Sequence, residues 1–260
     1  MKRIKCELMY DGSRFSGYQS QPRDRTVQQE IEKALWKIHK KTSVKTHASG
    51  RTDAGVHAMG QVLHFDTPIT MPAERWARAL NGELPVDISV KQTEEVPETF
   101  HSRYSSVGKE YRYRIYRTPY RDPFRTVYAH HYPYPLEVER MKDAAKYMLG
   151  EHDFTSFCST KTDKENKVRT VHDISFIEQG DDLEIRFTGN GFLYNMVRIM
   201  AGTLIKAGNG RLEPADVARI LAARDRNQAP QTAPAEGLYL WKVHYHSTFS
   251  CHPVPGDLHF

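Results

Sequence analysis

The sequence predicts an α+β fold built from two halves that are alike in shape but not in sequence. Three observations carry that expectation. A strand–helix–strand succession runs from the N-terminus, and a comparable one begins again near residue 105. Apolar residues alternate with period two in the strand segments and recur at helical spacing between them. Pro and Gly punctuation is spread along the chain, so no flexible linker stands out. With 260 residues, one large domain or two modest halves can each bury a core.

Residues 3–10 alternate, with Ile4, Cys6 and Leu8 on one face and Arg3, Lys5 and Glu7 on the other, which predicts a half-buried strand. Asp11 to Arg25, rich in Gly, Ser, Gln, Asp and Arg, reads as a long loop. Thr26 then caps a helix with Gln29 at the capping-box position, and Val27, Ile31, Ala34, Leu35 and Ile38 form its apolar stripe. Gln61–Phe65 is a strand. Ala73, Trp76, Ala77 and Leu80 stripe a second helix that stops near Gly82, and Val86–Val90 is a further strand. In the second half Tyr111–Tyr116 is a strand, and Val138, Met141, Ala145, Met148 and Leu149 stripe a helix ending at Gly150. Strands follow around 171–178 and 183–188. Leu193, Met196, Val197, Met200 and Leu204 mark the next helix, a short one starts near Pro214, and Leu238–Tyr245 closes the fold as a strand. These signals divide the chain into halves 1–104 and 105–246, with an aperiodic tail 247–260 read as a frayed end. Half-sheets lying side by side leave a cleft between them.

A content of 39% hydrophobic and 27% charged residues is that of a soluble globular protein, and no apolar run is long enough to span a bilayer. The N-terminus lacks a signal-peptide core, and Cys6, Cys158 and Cys251 are too far apart for a zinc or redox motif. A cytoplasmic enzyme with free thiols is the expectation. The net charge of +5 points weakly to a polyanionic partner. Its distribution says more. Between Arg103 and Arg121 lie Lys109, Arg112, Arg114 and Arg117, with one acid, Glu110, and interleaved Tyr104, Tyr111, Tyr113, Tyr116 and Tyr120. Cations and aromatic faces suit phosphates and unstacked bases, and equally an ordinary amphipathic strand.

The run Ser49-Gly50-Arg51-Thr52-Asp53-Ala54-Gly55-Val56-His57-Ala58 places an Arg, an Asp and a His around two glycines in a connection between strands. By composition alone, an Asp between Thr and Ala is ordinarily a turn or cap residue. The run nevertheless resembles the signature of the TruA-type tRNA pseudouridine synthases, whose catalytic aspartate stands in such a motif. The likeness continues through Tyr10-Asp11-Gly12, Phe15 to Gln21 and Thr26-Val27-Gln28. It extends through Leu80-Asn81, Leu84-Pro85, Asp87-Ile88, Phe100 to Arg103 and Lys109 to Tyr113. His152-Asp153-Phe154, Arg169-Thr170-Val171, Gly189 to Arg198 and Gly237 to Leu240 complete it, in the family's order from about residue 3 to 245. The tail from Ser247 departs from the pattern.

The resemblance implies two ferredoxin- or RRM-like halves joined in a mostly antiparallel sheet, an active site in the central cleft, and a homodimer. It implies tRNA as partner and uridines at positions 38, 39 and 40 of the anticodon stem-loop as targets. Conversion of uridine to pseudouridine breaks the bond from C1′ to N1, turns the uracil and joins C1′ to C5. Nothing is oxidised and no group is lost, so the chemistry requires no cofactor and no metal. By carry-over Asp53 is the carboxylate, which attacks C1′, removes a sugar proton or adds to C6 of the ring; the sequence leaves the three open. Arg198, at the family's basic position, is the expected guanidinium that lowers the Asp53 pKa. Arg51 is assigned to RNA phosphate contact or base extrusion. Tyr111 would stack on the extruded uracil and relay the C5 proton, and Leu238 would line the uracil pocket. Arg112 and Arg114 are expected on RNA phosphates.

Thirteen histidines, among them His130-His131 and the pair His244 and His246, invite a metal reading, yet none has metalloprotease or zinc-finger spacing. Two alternatives stay on the page. A non-catalytic RNA-binding protein with RRM-like halves explains the charge but leaves Arg51 and Asp53 idle. A metal-dependent hydrolase needs ligands that the spacing does not supply.

Overall fold

The computed structural model describes residues 1–162 and 165–246. The frayed-end expectation for 247–260 and Cys251 lie outside the described residues.

Strand β1 (Lys2–Tyr10) buries Ile4, Cys6, Leu8 and Tyr10 on one face, as its alternation requires. Helix α1 (Val27–Ile38) starts at the capping box read from the sequence: Thr26 and Gln29 satisfy each other's backbone N–H groups. After the short β2 (His47–Ala48) come β3 (His57–Thr67), α2 (Arg75–Asn81) and β4 (Ile88–Val96). The second half contains β5 (Ser106–Tyr116), β6 (His130–His131), α3 (Val138–Lys146), β7 (Gly150–Asp153), β8 (Val168–Gln179) and β9 (Asp182–Gly189). Helices α4 (Met196–Gly208) and α5 (Asp216–Ala223) precede β10 (Leu238–Tyr245), which keeps the bounds read from the sequence.

Three element boundaries are corrected. Strand β4 begins at Ile88 and not at Val86, because Pro85 to Asp87 forms a turn that Ile88 N–H closes on the Pro85 carbonyl. Its continuation to Val96 was hidden by polar residues, which an edge strand carries readily. Gly150 does not end α3; at φ +92° it opens β7. Leu193 precedes α4, which starts after Asn195 held in the left-handed region at φ 62°.

All ten described strands join one mostly antiparallel sheet in the order β4-β1-β3-β10-β5-β9-β8-β7, with β2 pairing β3 and β6 pairing β5. Strand β3 shares one edge between two partners. Its residues Leu63 and His64 pair with β2, whereas His57 and Ala58 pair in parallel with Tyr239 and Leu240 of β10. That two-residue seam joins the first-half strands to the second. The chain between β2 and β3 leaves the sheet beside the seam, and it carries Asp53.

Candidate active site

The connection 49–56 is fastened at several points before it reaches Asp53. Ser49 Oγ donates to Gln61 Oε1 at 2.8 Å, Gln61 Nε2 donates to the Gly50 carbonyl at 2.9 Å, and Lys109 Nζ donates to the Ser49 carbonyl at 2.7 Å. Thr52 Oγ1 and Tyr10 Oη are 2.7 Å apart, and Tyr18 N–H donates to the Thr52 carbonyl at 3.0 Å. Gly17 lies at φ +94° with its α-carbon so near the Thr52 carbonyl that a side chain would press on it. The segment 11–18, a loop as the sequence predicts, is therefore the wall against which the Asp53 loop is set.

Asp53 Oδ2 accepts from Arg198 Nη1 at 3.3 Å, joining positions 145 residues apart. The guanidinium is aimed by two neutral acceptors as well: Nε donates to the Ala233 carbonyl at 2.8 Å, and Nη1 to Asn195 Oδ1 at 3.2 Å. The side chains of Asp53 and Arg198 keep only 20% and 17% of their surface exposed. Burial pushes the Asp53 carboxyl above its ordinary value, and Arg198 opposes that rise by charge and hydrogen bond. The expected lowering by arginine is thus present but outweighed by desolvation, which corrects the sign read from the sequence.

Tyr111 on β5 lies close enough to Asp53 to feel its charge. Burial, then the neighbouring Tyr10 and Asp53, push the phenol well up, so it is a neutral hydroxyl at working pH. Its ring meets Phe192 edge to face with centroids 5.3 Å apart. Leu238 is buried opposite Tyr113 in the register, and Leu240 lies opposite Tyr111, so both leucines share the Tyr111 face. Arg51 is exposed and has no ion pair among the described residues.

Arg112 and Arg114 do not join this group. Strand alternation turns them to the opposite face from Tyr111 and Tyr113. There Arg112 pairs with Glu110 at 2.8 Å and Glu184 at 3.2 Å and lies over the Trp241 ring, 3.7 Å from its centroid. Arg114 pairs with Glu184 at 3.2 Å and lies over Tyr239. On that face carboxylates answer both guanidiniums.

His130 and His131 are likewise engaged. His130 Nδ1 is 3.2 Å from Tyr113 Oη, and His131 Nε2 is 2.9 Å from the Thr118 carbonyl. Among the described residues no three His, Cys, Asp or Glu side chains are grouped to hold a metal ion. No described helix is long and apolar enough to cross a membrane.

Sequence reasoning missed Asn195. Its signal was an asparagine, tolerant of the left-handed region, immediately before a helix and three residues from Arg198. The Thr52–Tyr10 bond was also missed, since neither residue advertises a partner 42 positions away.

Arranged in this way, a carboxylate, a guanidinium and a phenol can hold an anion-stabilised covalent or charge partner, its counter-charge and a proton carrier within one buried group. Comparison with known proteins agrees in kind. A family profile described as tRNA pseudouridine synthase matches residues 8–105 and 144–246. The chain is 56% identical to tRNA pseudouridine synthase A 1 of Bacillus cereus over 247 residues, which is 95% of this chain and 100% of that one. It is 54% identical to tRNA pseudouridine synthase A of Bacillus subtilis over 244 residues, 94% of this chain and 99% of that one. The Listeria monocytogenes enzyme of the same name is 56% identical, covering 94% of this chain and 100% of its own.

Proposed function

The chain belongs to the tRNA pseudouridine synthase family and isomerises uridine to pseudouridine in tRNA, and we propose that its targets are uridines at positions 38, 39 or 40 of the anticodon stem-loop, with Asp53 as the catalytic carboxylate. One observation carries the assignment of the site: Asp53 and Arg198, from opposite halves of the sequence, form a half-buried ion pair beside Tyr111.

In the reaction the C1′–N1 bond breaks, the uracil turns, and C1′ bonds to C5. The hydrogen at C5 leaves as a proton and N1 ends protonated, so atoms and electrons balance without an outside reagent. Asp53 serves as the nucleophile or base in its ionised form. Arg198 opposes the effect of burial on Asp53 by charge and hydrogen bond and orients the carboxylate. Tyr111 stacks on the extruded base and carries the C5 proton through its neutral hydroxyl. Arg51, exposed two residues from Asp53, contacts the RNA backbone or helps extrude the base, and Leu238, beside Tyr113 on the Tyr111 face, lines the uracil pocket.

The halves 1–104 and 105–246 are ferredoxin-like units in this reading. The first runs β1, α1, β2, β3, α2, β4 with spatial order β4-β1-β3-β2, and the second, once the short β6 and β7 and helix α5 are set aside as insertions, runs β5, α3, β8, β9, α4, β10 with order β10-β5-β9-β8. The same four-strand order on both sides of the seam supports it. A homodimer working on tRNA in the cytoplasm completes the proposal. An RNA-binding module without catalysis leaves the Asp53–Arg198 pair with nothing to do.

Release of tritium from tRNA labelled at C5 of uridine, combined with mapping of pseudouridine in the product, tests both parts. Release with the new base in the anticodon stem-loop is expected. Release with the base elsewhere removes the positional assignment, and no release removes the enzymatic one.

A further inference from the structure

The Asp53 loop ends in His57, whose imidazole points to the opposite face of the sheet from Tyr111. His57 pairs with Tyr239, which faces that side, whereas the next residue Ala58 pairs with Leu240 on the Tyr111 side. The ring is 2% exposed and stacks on Tyr239 with centroids 4.7 Å apart and planes 20° apart.

Both ring nitrogens are engaged. Gly12 N–H donates to Nδ1 at 3.0 Å, so Nδ1 is the bare nitrogen and Nε2 carries the hydrogen. Nε2–H then donates to the Val127 carbonyl at 2.8 Å. The neutral ring thereby ties the loop at Gly12 to the excursion that contains Val127. Burial, opposed by Asp11, lowers the His57 pKa and keeps this form at neutral pH.

Gly12 in turn backs the loop. A Cβ there would collide with the Val56 carbonyl, so the two backbones are in direct contact. The Gly12 carbonyl accepts from Phe15 N–H at 3.0 Å, the Phe15 carbonyl accepts from Gly55 N–H at 3.4 Å, and Val56 N–H closes on the Asp53 carbonyl at 3.2 Å. A continuous set of main-chain contacts therefore runs from the imidazole to the residue that bears the carboxylate.

We propose that His57 is a positioning residue for isomerisation: from behind the sheet, it fixes Gly12 and through it the placement of the Asp53 loop. The inference rests on Asp53 being the catalytic carboxylate. It treats the two ring nitrogens as separable, since only the Nδ1 bond leads to the loop.

Single-turnover rates at saturating enzyme, tRNA affinity and thermal melting are to be measured for His57→Asn, His57→Gln, His57→Ala and Tyr239→Phe. Asn keeps an acceptor near Nδ1, and Gln keeps a donor near Nε2. Because small misplacements of a reacting group are costly, His57→Gln and His57→Ala should lose about 100-fold in rate, with His57→Asn regaining about tenfold and tRNA affinity unchanged within about twofold. Tyr239→Phe, which deletes a hydroxyl bonded at 2.7 Å to the Tyr128 carbonyl of the same excursion, should melt earlier and keep its rate. The proposal is overturned by wild-type rates in all three His57 variants. It is overturned equally if His57→Asn is no better than His57→Ala, or if rate loss simply follows melting temperature across the set. Asp53→Asn is run alongside: normal turnover there defeats the functional reading itself, whereas a dead Asp53→Asn with normal His57 variants defeats the positioning role alone.

Discussion

The two faces of β5 treat charge in opposite ways. On the face of Tyr111 and Tyr113, one carboxylate meets one guanidinium at 3.3 Å, and burial still holds the Asp53 carboxyl above its ordinary value. On the face of Arg112 and Arg114, each cation is answered at once by Glu110 or Glu184, and Arg186 adds a further bond to Glu184 at 2.9 Å. The difference teaches that the reactive charge is the incompletely compensated one. The density of basic residues in the sequence marks the face opposite Asp53.

The largest effect that sharpens this contrast is removal of the poorly compensated charge. Asp53→Asn should slow isomerisation more than about 10³-fold, equivalent to about 4 kcal/mol of barrier. Its stability should not suffer at neutral pH. A carboxyl whose pKa is raised on folding binds more protons in the folded state, so its contribution to stability falls as pH rises from the unfolded value through the folded one. Thermal melting and single-turnover kinetics check the two parts; near-normal turnover would remove Asp53 from the mechanism.

Next in size is Tyr111. Loss of a proton carrier costs about 10²–10⁴-fold, and loss of base stacking about 1–3 kcal/mol. Tyr111→Phe should therefore be impaired beyond what stacking explains, and Tyr111→Ala should be impaired further, with both binding whole tRNA nearly normally. If the Phe variant turns over like wild type while Ala is dead, Tyr111 is a platform and the proton travels elsewhere. If both behave as wild type, it is a core residue.

A smaller effect concerns pH. Because the ionised form of Asp53 is the working one and its pKa is raised, the acid limb of the single-turnover rate should fall above the ordinary aspartate value of about 4. Arg198→Gln removes the opposing charge and should move that limb upward. An unmoved limb would mean that another group sets it.

The smallest effect separates the faces by salt. Arg51→Gln should flatten the log–log dependence of tRNA affinity on salt by about 0.7–0.9, the value of one phosphate contact. Arg112→Gln with Arg114→Gln should leave the slope unchanged, since glutamates already hold both guanidiniums. A flattened slope in that double variant would return the back-face arginines to the RNA interface.

Much of the fold was legible because local rules and tertiary packing agree in it. The capping box at Thr26 and Gln29, the alternation of β1 and the bounds of β10 follow from periods and caps alone. Strand β3 was read too short at both ends, because His57 is polar yet buried, satisfied by Gly12 and Val127 far away in sequence, and because Gly60 and Asp66 are poor strand formers. The alternation of Arg and Tyr from 111 to 114 suits an RNA surface and an amphipathic strand equally in the sequence. In a strand it divides, tyrosines to one side and arginines to the other. Asp53 and Arg198 became legible through the family resemblance, since no local pattern links residues 145 positions apart. Asn195 stayed hidden because its role depends on a backbone dihedral.

The two-residue seam between β3 and β10 also bears on the order in which the molecule is made. Strand β10 leaves the ribosome after every other described strand, yet it lies between β3 and β5 in the sheet. Until Leu238 to Leu240 have emerged, His57 and Ala58 have no neighbour on that edge. A nascent chain can complete β1, β3 and β4 as one cooperative unit and still hold Asp53 apart from Arg198, because domains fold as units during synthesis. Competence therefore arrives late and all at once, when the last strand closes the gap.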